Sequence, residues 1–199
     1  EDTTTDEVVA GLDLGGRTAV VTGATSGLGR ETARALASVG ARVVLCGRDP
    51  DKLAAALDEV GAGAEGQLVD LGDLAAIRRA TDELDGRLDR VDVLVNNAGV
   101  MACPLARTAD GFEAQFGTNH LGHFLLTARL LPLLAAADAP RVVNLSSQGH
   151  LLAGVDLDDP NYEQAPYEKW EAYGRSKTAN LLFTRELVRR HGDHLLAYA

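Results

Sequence analysis

A chain of 199 residues, 46% of them hydrophobic, is long enough to bury one sizeable core and short for two. Its formal net charge of −10 comes without any basic cluster, which excludes nucleic acid and anionic membrane surfaces as expected partners. The two cysteines, Cys46 and Cys103, form neither a disulfide framework nor a metal-binding pair, and no apolar run reaches the length of a membrane span. We therefore expect a cytoplasmic protein with a flexible N-terminus over residues 1–13.

Short β-branched runs alternate with longer amphipathic stretches along the chain, which is the pattern of repeated strand–helix–strand units. Because the strands are almost continuously apolar, both faces of their sheet are expected to be buried. Right-handed crossovers then give an α/β fold, a doubly wound parallel sheet in a single domain over residues 1–199. The predicted strands cover residues 18–22, 42–46, 66–69, 91–96 and 141–146, with a sixth near Leu195, and the predicted helices cover 28–39, 50–60, 74–84, 114–134 and 171–191.

The longest irregular stretch covers residues 149–169. A loop of this length inside a compact domain is usually functional or mobile. Tyr167 and Trp170, close to the start of the last predicted helix, either line a hydrophobic pocket or fix the loop in place. The sequence favours neither alternative.

The first chemical signal is the segment TGATSGLG, residues 22–29, which follows the first predicted strand and opens a helix. Gly23, Gly27 and Gly29 let the backbone turn tightly and approach a pyrophosphate, while the helix N-terminus supplies N–H donors. The alternative is a glycine-rich turn that only joins strand to helix, and the spacing differs from the Gly-x-Gly-x-x-Gly fingerprint. The position between strand and helix favours a variant of the dinucleotide phosphate turn.

The end of the second predicted strand carries Gly47 and Arg48, where an acidic residue would bind the ribose 2′-hydroxyl of NAD. A guanidinium pairs well with a 2′-phosphate, and no carboxylate is present there to repel it. The sequence therefore favours NADP(H), with NAD(H) as the second choice. The alternative is an ordinary solvent-facing Arg48.

The segment Tyr173-Gly-Arg-Ser-Lys177 places a tyrosine and a lysine four residues apart on one face of a helix. A neighbouring ammonium favours the phenolate and makes tyrosine useful as an acid or base. Ser147, after the fifth strand, is positioned to hydrogen-bond a substrate oxygen, and Asn119 to hold a water that relays protons through Lys177. A chance pairing of tyrosine and lysine is the alternative for Tyr173 and Lys177 taken alone.

His120 and His123 are three residues apart, but no carboxylate or cysteine cluster accompanies them, so we expect packing or capping roles and no metal site. Cys103 has no basic neighbour in sequence and is expected to be inert.

These motifs together resemble the short-chain dehydrogenase/reductase family, which matches TGATSGLG, Asp70, the segment NNAG at 96–99, Asn119, Ser147 and the Tyr173–Lys177 pair in this order. Four longer segments, NNAGVMACP, TADGFE, TNHLGHFLLT and AYGRSKTANLLFTREL, resemble its retinol dehydrogenase-like branch, whose relatives include WW-domain oxidoreductases and light-dependent protochlorophyllide reductases. The resemblance implies a Rossmann-type fold, an adenine contact from Asp70, and a catalytic tetrad of Asn119, Ser147, Tyr173 and Lys177. The implied cofactor-binding residues are Gly23, Thr25, Ser26, Gly27, Leu28, Gly29, Arg48, Asp70, Leu71, Asn97, Ala98, Gly99, Tyr173 and Lys177.

The resemblance also implies an NADP(H)-dependent oxidoreductase that interconverts a hydrophobic carbonyl compound and an alcohol, with Tyr173 as the acid or base. The alternative is a non-catalytic NADP(H)-binding regulatory or scaffold protein. Because family members pair the helices at 114–134 and 171–191 across a dimer axis, we expect a homodimer or homotetramer. The sequence stops at the sixth strand, before the Pro-Gly turn and substrate-binding segment of the family, and we expect it to be a fragment.

Overall fold

Six parallel strands form the centre of the protein in the computed structural model, which describes residues 3–199. The strands are β1 (Thr18–Thr22), β2 (Arg42–Gly47), β3 (Ala64–Leu68), β4 (Val93–Asn96), β5 (Arg141–Asn144) and β6 (Leu196–Tyr198). Their order across the sheet is β3-β2-β1-β4-β5-β6, and every neighbouring pair is parallel. This is the doubly wound order of a Rossmann fold, with a switch point between β1 and β4. The predicted fold class is confirmed.

Helices cover both faces of this sheet. They are α1 (Thr5–Val9), α2 (Gly27–Ser38), α3 (Pro50–Val60), α4 (Leu74–Asp85), α5 (Ala114–Phe116), α6 (His123–Ala135) and α7 (Lys169–His191). A π-helical turn, Gly117–Gly122, joins α5 to α6, and a 3₁₀ turn, Gln148–Leu152, follows β5. Aspartate caps set two of the starts, because Asp49 and Asp73 each accept hydrogen bonds from two backbone N–H groups in the first turns of α3 and α4.

The hydrophobic core is divided by the sheet into two layers. Alternate residues of β1 point to opposite faces, so Val20 packs in one layer and Val21 in the other, and both are completely buried. The layer containing Val20 is closed by α4, α6 and α7, and the layer containing Val21 by α2 and α3. Burial of both faces explains the near-continuous apolar runs of the central strands. Within residues 3–199, no helix is both long enough and apolar enough to cross a membrane.

Several boundaries differ from the sequence-based expectations, and four of the differences affect the site or have a clear physical reason. The strand β3 begins at Ala64 because that residue pairs with Val43 of β2. The strand β5 ends at Asn144, which frees the chain that leads to Ser147. The helix expected over 114–134 is interrupted by the π-helical turn, and α7 starts earlier because the Glu168 carboxylate caps it.

The N-terminal segment, expected to be flexible over residues 1–13, contains the helix α1. Thr4 and Glu7 form a capping box at its start, and Arg34 of α2 donates hydrogen bonds to Thr5 and Asp6. Residues 1 and 2 lie outside the described residues. The flexibility of this segment stays a prediction.

Candidate active site

A cavity of about 520 Å³ lies at the carboxyl ends of β1 to β4, on either side of the switch point of the sheet. Eleven of the expected cofactor-binding residues line it: Gly23, Thr25, Ser26, Leu28, Gly29, Arg48, Asp70, Leu71, Asn97, Ala98 and Gly99. Gly27, Tyr173 and Lys177 are not part of this lining. The lining also includes residues outside the expected cofactor-binding set, namely Thr22, Cys46, Gly47, Asp49, Lys52, Val69, Val100 and Thr118.

The glycine-rich turn fits against the chain that follows β4. Gly23 has a φ of +64°, and a Cβ placed there would lie 2.8 Å from the Cα of Ala98. A Cβ on Gly29 would overlap the carbonyl of Gly23 and the amide of Asn97. Only glycine allows this close approach, which draws the turn and the NNAG segment together.

The start of α2 leaves room for an anionic group. Gly27 has a φ of +53°, and a Cβ built there meets no atom of the described residues within 4 Å. The Ser26 side chain makes no capping hydrogen bond in the described part of the chain, so it does not occupy the N–H donors of the first helical turn. A free row of donors at the positive end of a helix fits a pyrophosphate, so the residues present suit a dinucleotide.

Two cations, Arg48 and Lys52, line the end of the cavity beside β2. The neighbouring carboxylate of Asp49 accepts hydrogen bonds at 3.1 Å from the backbone N–H groups of Asp51 and Lys52, which holds it at the start of α3. Sequence analysis missed Lys52. Its spacing of four residues from Arg48, across a helix start that follows a strand of the sheet, was the available signal.

The Asn97–Gly99 segment forms the wall of the cavity that faces α7. A Cβ on Gly99 would lie 3.2 Å from Oδ1 of Asn119 and 3.8 Å from Nζ of Lys177. The expected cofactor site and the expected tetrad are therefore adjacent, with only a glycine between them.

Tyr173 and Lys177 lie one turn apart on α7, and the Lys177 Nζ is 5.6 Å from the centroid of the Tyr173 ring. Lys177 is only 5% exposed and donates one hydrogen bond of 2.8 Å to the carbonyl of Leu145. Burial lowers the pKa of Lys177 from its ordinary 10.5 to about 8. Its ammonium therefore has donors left for a ligand hydroxyl and loses its proton easily for a lysine.

Ser147 lies across Gly149 from the phenol ring. A Cβ on Gly149 would be 2.7 Å from Cε1 of Tyr173 and 3.4 Å from Oγ of Ser147. The Ser147 hydroxyl accepts a 3.0 Å hydrogen bond from the Gly149 N–H, which orients it at the start of the 3₁₀ turn. The two hydroxyl-bearing side chains thus flank a common space.

Asn119 is completely buried in the π-helical turn. Its Oδ1 accepts a 2.8 Å hydrogen bond from the Val100 N–H, and its Nδ2 donates to the Val100 carbonyl at 2.9 Å and to Ser176 Oγ at 3.0 Å. The side chain thereby fastens the cavity wall to α7. Both amide hydrogens of Asn119 are thus engaged within the protein and leave no side-chain donor for the expected water. The water at Asn119 stays a prediction.

The loop before α7 is fixed by Arg175, which sequence analysis did not single out, and by Tyr167. The guanidinium of Arg175 lies 4.3 Å from the centroid of the Tyr162 ring and donates to the carbonyl of Asp159 at 3.1 Å. The Tyr167 hydroxyl contacts the carbonyl of Cys103 at 3.0 Å and Nε2 of Gln115 at 2.9 Å. Of the two alternatives for Tyr167, the contacts support fixing the loop.

The two histidines use their rings for contacts within the protein. His120 lies 3.2 Å from Oδ1 of Asn180 and packs against Phe116, Phe124 and Phe183. His123 lies 2.9 Å from the Asn119 carbonyl. Among residues 3–199, no group of three or more histidine, cysteine or acidic side chains is arranged to hold a metal ion.

Comparison with known proteins gives matches over most of the chain. The family model described as short chain dehydrogenase matches residues 17–196. Retinol dehydrogenase 12 of Mus musculus is 45% identical over 194 residues, which cover 94% of this chain and 61% of that protein. The chain thus spans less than two thirds of the length of this relative.

Solved structures also match the fold and sequence over most of the chain. The crystal structure of an uncharacterised protein from Mycobacterium Paratuberculosis has a TM-score of 0.86 and 46% identity, over 97% of this chain and 68% of that one. The Pseudomonas aeruginosa RhlG/NADP active-site complex has a TM-score of 0.74 and 32% identity, over 92% of this chain and 70% of that one.

Proposed function

Because the chain belongs to the short-chain dehydrogenase family, we propose that it interconverts a carbonyl compound and an alcohol with NADP(H) as cofactor. The observation that carries the proposal is the contact through Gly99, which brings the cavity lined by the glycine-rich turn within reach of Lys177 and Asn119. A nicotinamide ring bound at that wall would supply or accept the hydride.

The chain's own residues handle the proton. In the reducing direction, the Tyr173 hydroxyl gives its proton to the substrate oxygen as the carbonyl carbon gains a hydride, and in the oxidising direction the phenolate takes the proton back. Ser147, across Gly149 from the ring, donates a hydrogen bond to the same oxygen. Lys177 binds a ribose hydroxyl and stabilises the negative charge that develops on the phenol oxygen.

Preference for NADP(H) is supported by Arg48 and Lys52, two cations that line the cavity beside β2 and can pair with a 2′-phosphate. The Asp49 carboxylate lies 3.9 Å from Nζ of Lys52, so the preference rests chiefly on Arg48. The NADP complex of the Pseudomonas aeruginosa neighbour supports the choice. Replacing Arg48 by Ala should weaken NADPH binding at least about tenfold and NADH binding much less, because one charged hydrogen bond is lost. Arg190→Ala, in the last turn of α7, is the matched control. Equal weakening of both cofactors would refute this preference.

The proposed substrate is a hydrophobic carbonyl compound. Leu151 and Leu152 follow Ser147 in the 3₁₀ turn and are 78% and 58% exposed, so the side of the site beyond the serine offers apolar surface. The name of the mouse relative, a retinol dehydrogenase, agrees with a hydrophobic alcohol. The cytoplasmic location and the homo-oligomeric state stay predictions.

The testing experiment follows NADPH and NADH oxidation by the purified protein with aliphatic aldehydes, retinal, quinones and ketosteroids. Tyr173→Phe should lower turnover on the order of 100-fold or more while the Kd for NADPH stays nearly unchanged, because only the proton donor is removed. Tyr198→Phe, an exposed tyrosine of β6, is the matched control. NADPH binding without turnover of any substrate would favour the non-catalytic alternative, and turnover unchanged in Tyr173→Phe would refute the mechanism.

A further inference from the structure

His123 is a buried polar group that the proposed mechanism does not use. Its side chain lies at the start of α6 with 1% exposure, and burial lowers its pKa to about 4, so the imidazole is neutral at physiological pH. The Nδ1 atom is 2.9 Å from the carbonyl of Asn119, which can only accept, so Nδ1 carries the proton. The Nε2 atom therefore accepts, and the Thr22 hydroxyl donates to it at 2.8 Å.

Thr22 extends this contact to the cofactor cavity. Its Oγ1 accepts hydrogen bonds from the backbone N–H groups of Asn97 at 2.9 Å and Ala98 at 3.0 Å. Thr22 is also the last residue of β1, directly before Gly23. The hydroxyl that contacts His123 thus joins the glycine-rich turn to the wall of the cavity.

Asn119 extends the contact to the catalytic helix. Its backbone carbonyl, in the π-helical turn, accepts hydrogen bonds from two side chains, Nδ1 of His123 and, at 3.2 Å, Nδ2 of Asn180 on α7. The Asn119 side chain then holds Val100 and Ser176. One imidazole therefore connects the end of β1, the chain after β4 and the turn that contacts α7.

We propose that His123 is a positioning residue, which fixes Thr22 and Asn119 relative to each other and so sets the distance between the dinucleotide and Tyr173. This inference rests on the proposed function. An apolar residue would fill the same volume without fixing directions, whereas the two ring nitrogens impose one orientation on both partners. Small displacements between a cofactor and its acid group lower rates strongly, so the orientation matters for turnover.

The test compares three replacements of His123 that remove different hydrogen bonds. His123→Phe removes both and should raise the Kd for NADPH about tenfold and lower kcat about tenfold, the scale of one lost buried hydrogen bond. His123→Gln can reach the position of Nε2 and should rescue mainly NADPH binding, through Thr22. His123→Asn can reach the position of Nδ1 and should rescue mainly kcat, through Asn119. A residue with a merely structural role would not divide Kd from kcat in this way.

NADPH binding is read by cofactor fluorescence and kcat by NADPH oxidation, at a temperature where circular dichroism shows each variant folded. His194→Gln, an exposed histidine, is the control. If His123→Phe does not fold, Thr22→Val removes the same contact from the other side, together with the hydrogen bonds from Asn97 and Ala98, and should weaken NADPH binding at least as much. Values within twofold of wild type for His123→Phe or Thr22→Val, or equal losses in all three His123 variants, would overturn the inference while the proposed function stands. A wild-type protein that binds neither NADPH nor NADH would overturn the proposed function itself.

Discussion

The buried ammonium of Lys177 predicts an unusual rise in stability at alkaline pH. In the folded protein without dinucleotide, burial lowers its pKa to about 8, whereas in the unfolded chain it stays near 10.5. Between these values the unfolded state binds more protons, so the free energy of unfolding increases with pH. Each pH unit above 8 adds about 1.4 kcal/mol. From pH 7 to pH 9 the gain due to Lys177 is therefore on the order of 1 kcal/mol.

Cys46 and Tyr167 lower the free energy of unfolding at alkaline pH, in the opposite direction to Lys177. Burial raises the pKa of the Cys46 thiol to about 12 and that of Tyr167 to about 12, so unfolding becomes easier once these groups ionise in the unfolded chain. The tyrosine contribution starts near pH 10, which sets pH 9 as the upper limit. The cysteine contribution is common to wild type and variants and cancels when their free energies of unfolding are subtracted.

The assay is urea unfolding followed by Trp170 fluorescence at pH 7, 8 and 9, for wild type and Lys177→Met. The free energy of unfolding of wild type minus that of Lys177→Met should rise by about 1 kcal/mol over this range. Lys169→Met, at the exposed start of α7, is the matched control and should follow wild type. A difference between wild type and Lys177→Met that does not change with pH would show that the ammonium is not destabilised by burial, and would refute the reasoning.

Three further predictions test other parts of the structure. Gly23→Ala should weaken NADPH binding at least about tenfold in fluorescence titration, because the positive φ and close packing of Gly23 exclude a side chain. Gly86→Ala is the control and should bind NADPH like wild type. Equal NADPH affinities of Gly23→Ala and wild type would contradict the assigned turn. Acidification from pH 7 to pH 5 should lower the free energy of unfolding of wild type by about 2 kcal/mol relative to His123→Phe. The reason is that the imidazole of His123 binds a proton in the unfolded chain but stays neutral in the folded protein. Parallel pH profiles of the two proteins would contradict a buried neutral ring. Asp92→Asn should cost about 1–3 kcal/mol in urea unfolding, since its buried carboxylate accepts a 2.7 Å hydrogen bond from Arg17, and an unchanged midpoint would argue against that contact.

The sheet and its switch point were predictable because burial on both faces leaves a readable pattern. Each central strand is a short apolar run. The motif TGATSGLG begins at the last residue of β1 and NNAG at the last residue of β4, at the edge where a doubly wound sheet binds its ligand. Eleven of the fourteen expected cofactor-binding residues therefore came together at one cavity. The start of β3 was not predictable, because Ala64 and Glu65 show no apolar pattern of their own. They belong to the strand only because they pair with Val43 and Val44 of β2.

The π-helical turn shows why part of the site could not be predicted. The turn contains Asn119, whose backbone carbonyl accepts hydrogen bonds from the side chains of His123 and Asn180. Asn180 is 61 residues away in sequence, and no local periodicity reports such a contact. The helical pattern over 114–134 is continuous, so sequence analysis predicted one uninterrupted helix where tertiary contacts produce two.

The contacts of Arg175 couple the loop before α7 to the helix that carries Tyr173. Arg175 is 8% exposed, and its guanidinium lies over the Tyr162 ring and donates to the Asp159 carbonyl. The Asp159 carboxylate accepts hydrogen bonds from three backbone N–H groups of the loop. The loop and α7 are thus held together as one rigid unit, and a change that loosens the loop would also displace the phenol of Tyr173. Directed evolution of substrate preference should therefore leave this unit intact and randomise Leu151, which is 78% exposed, and not Leu152, which packs beside Gly174 of α7.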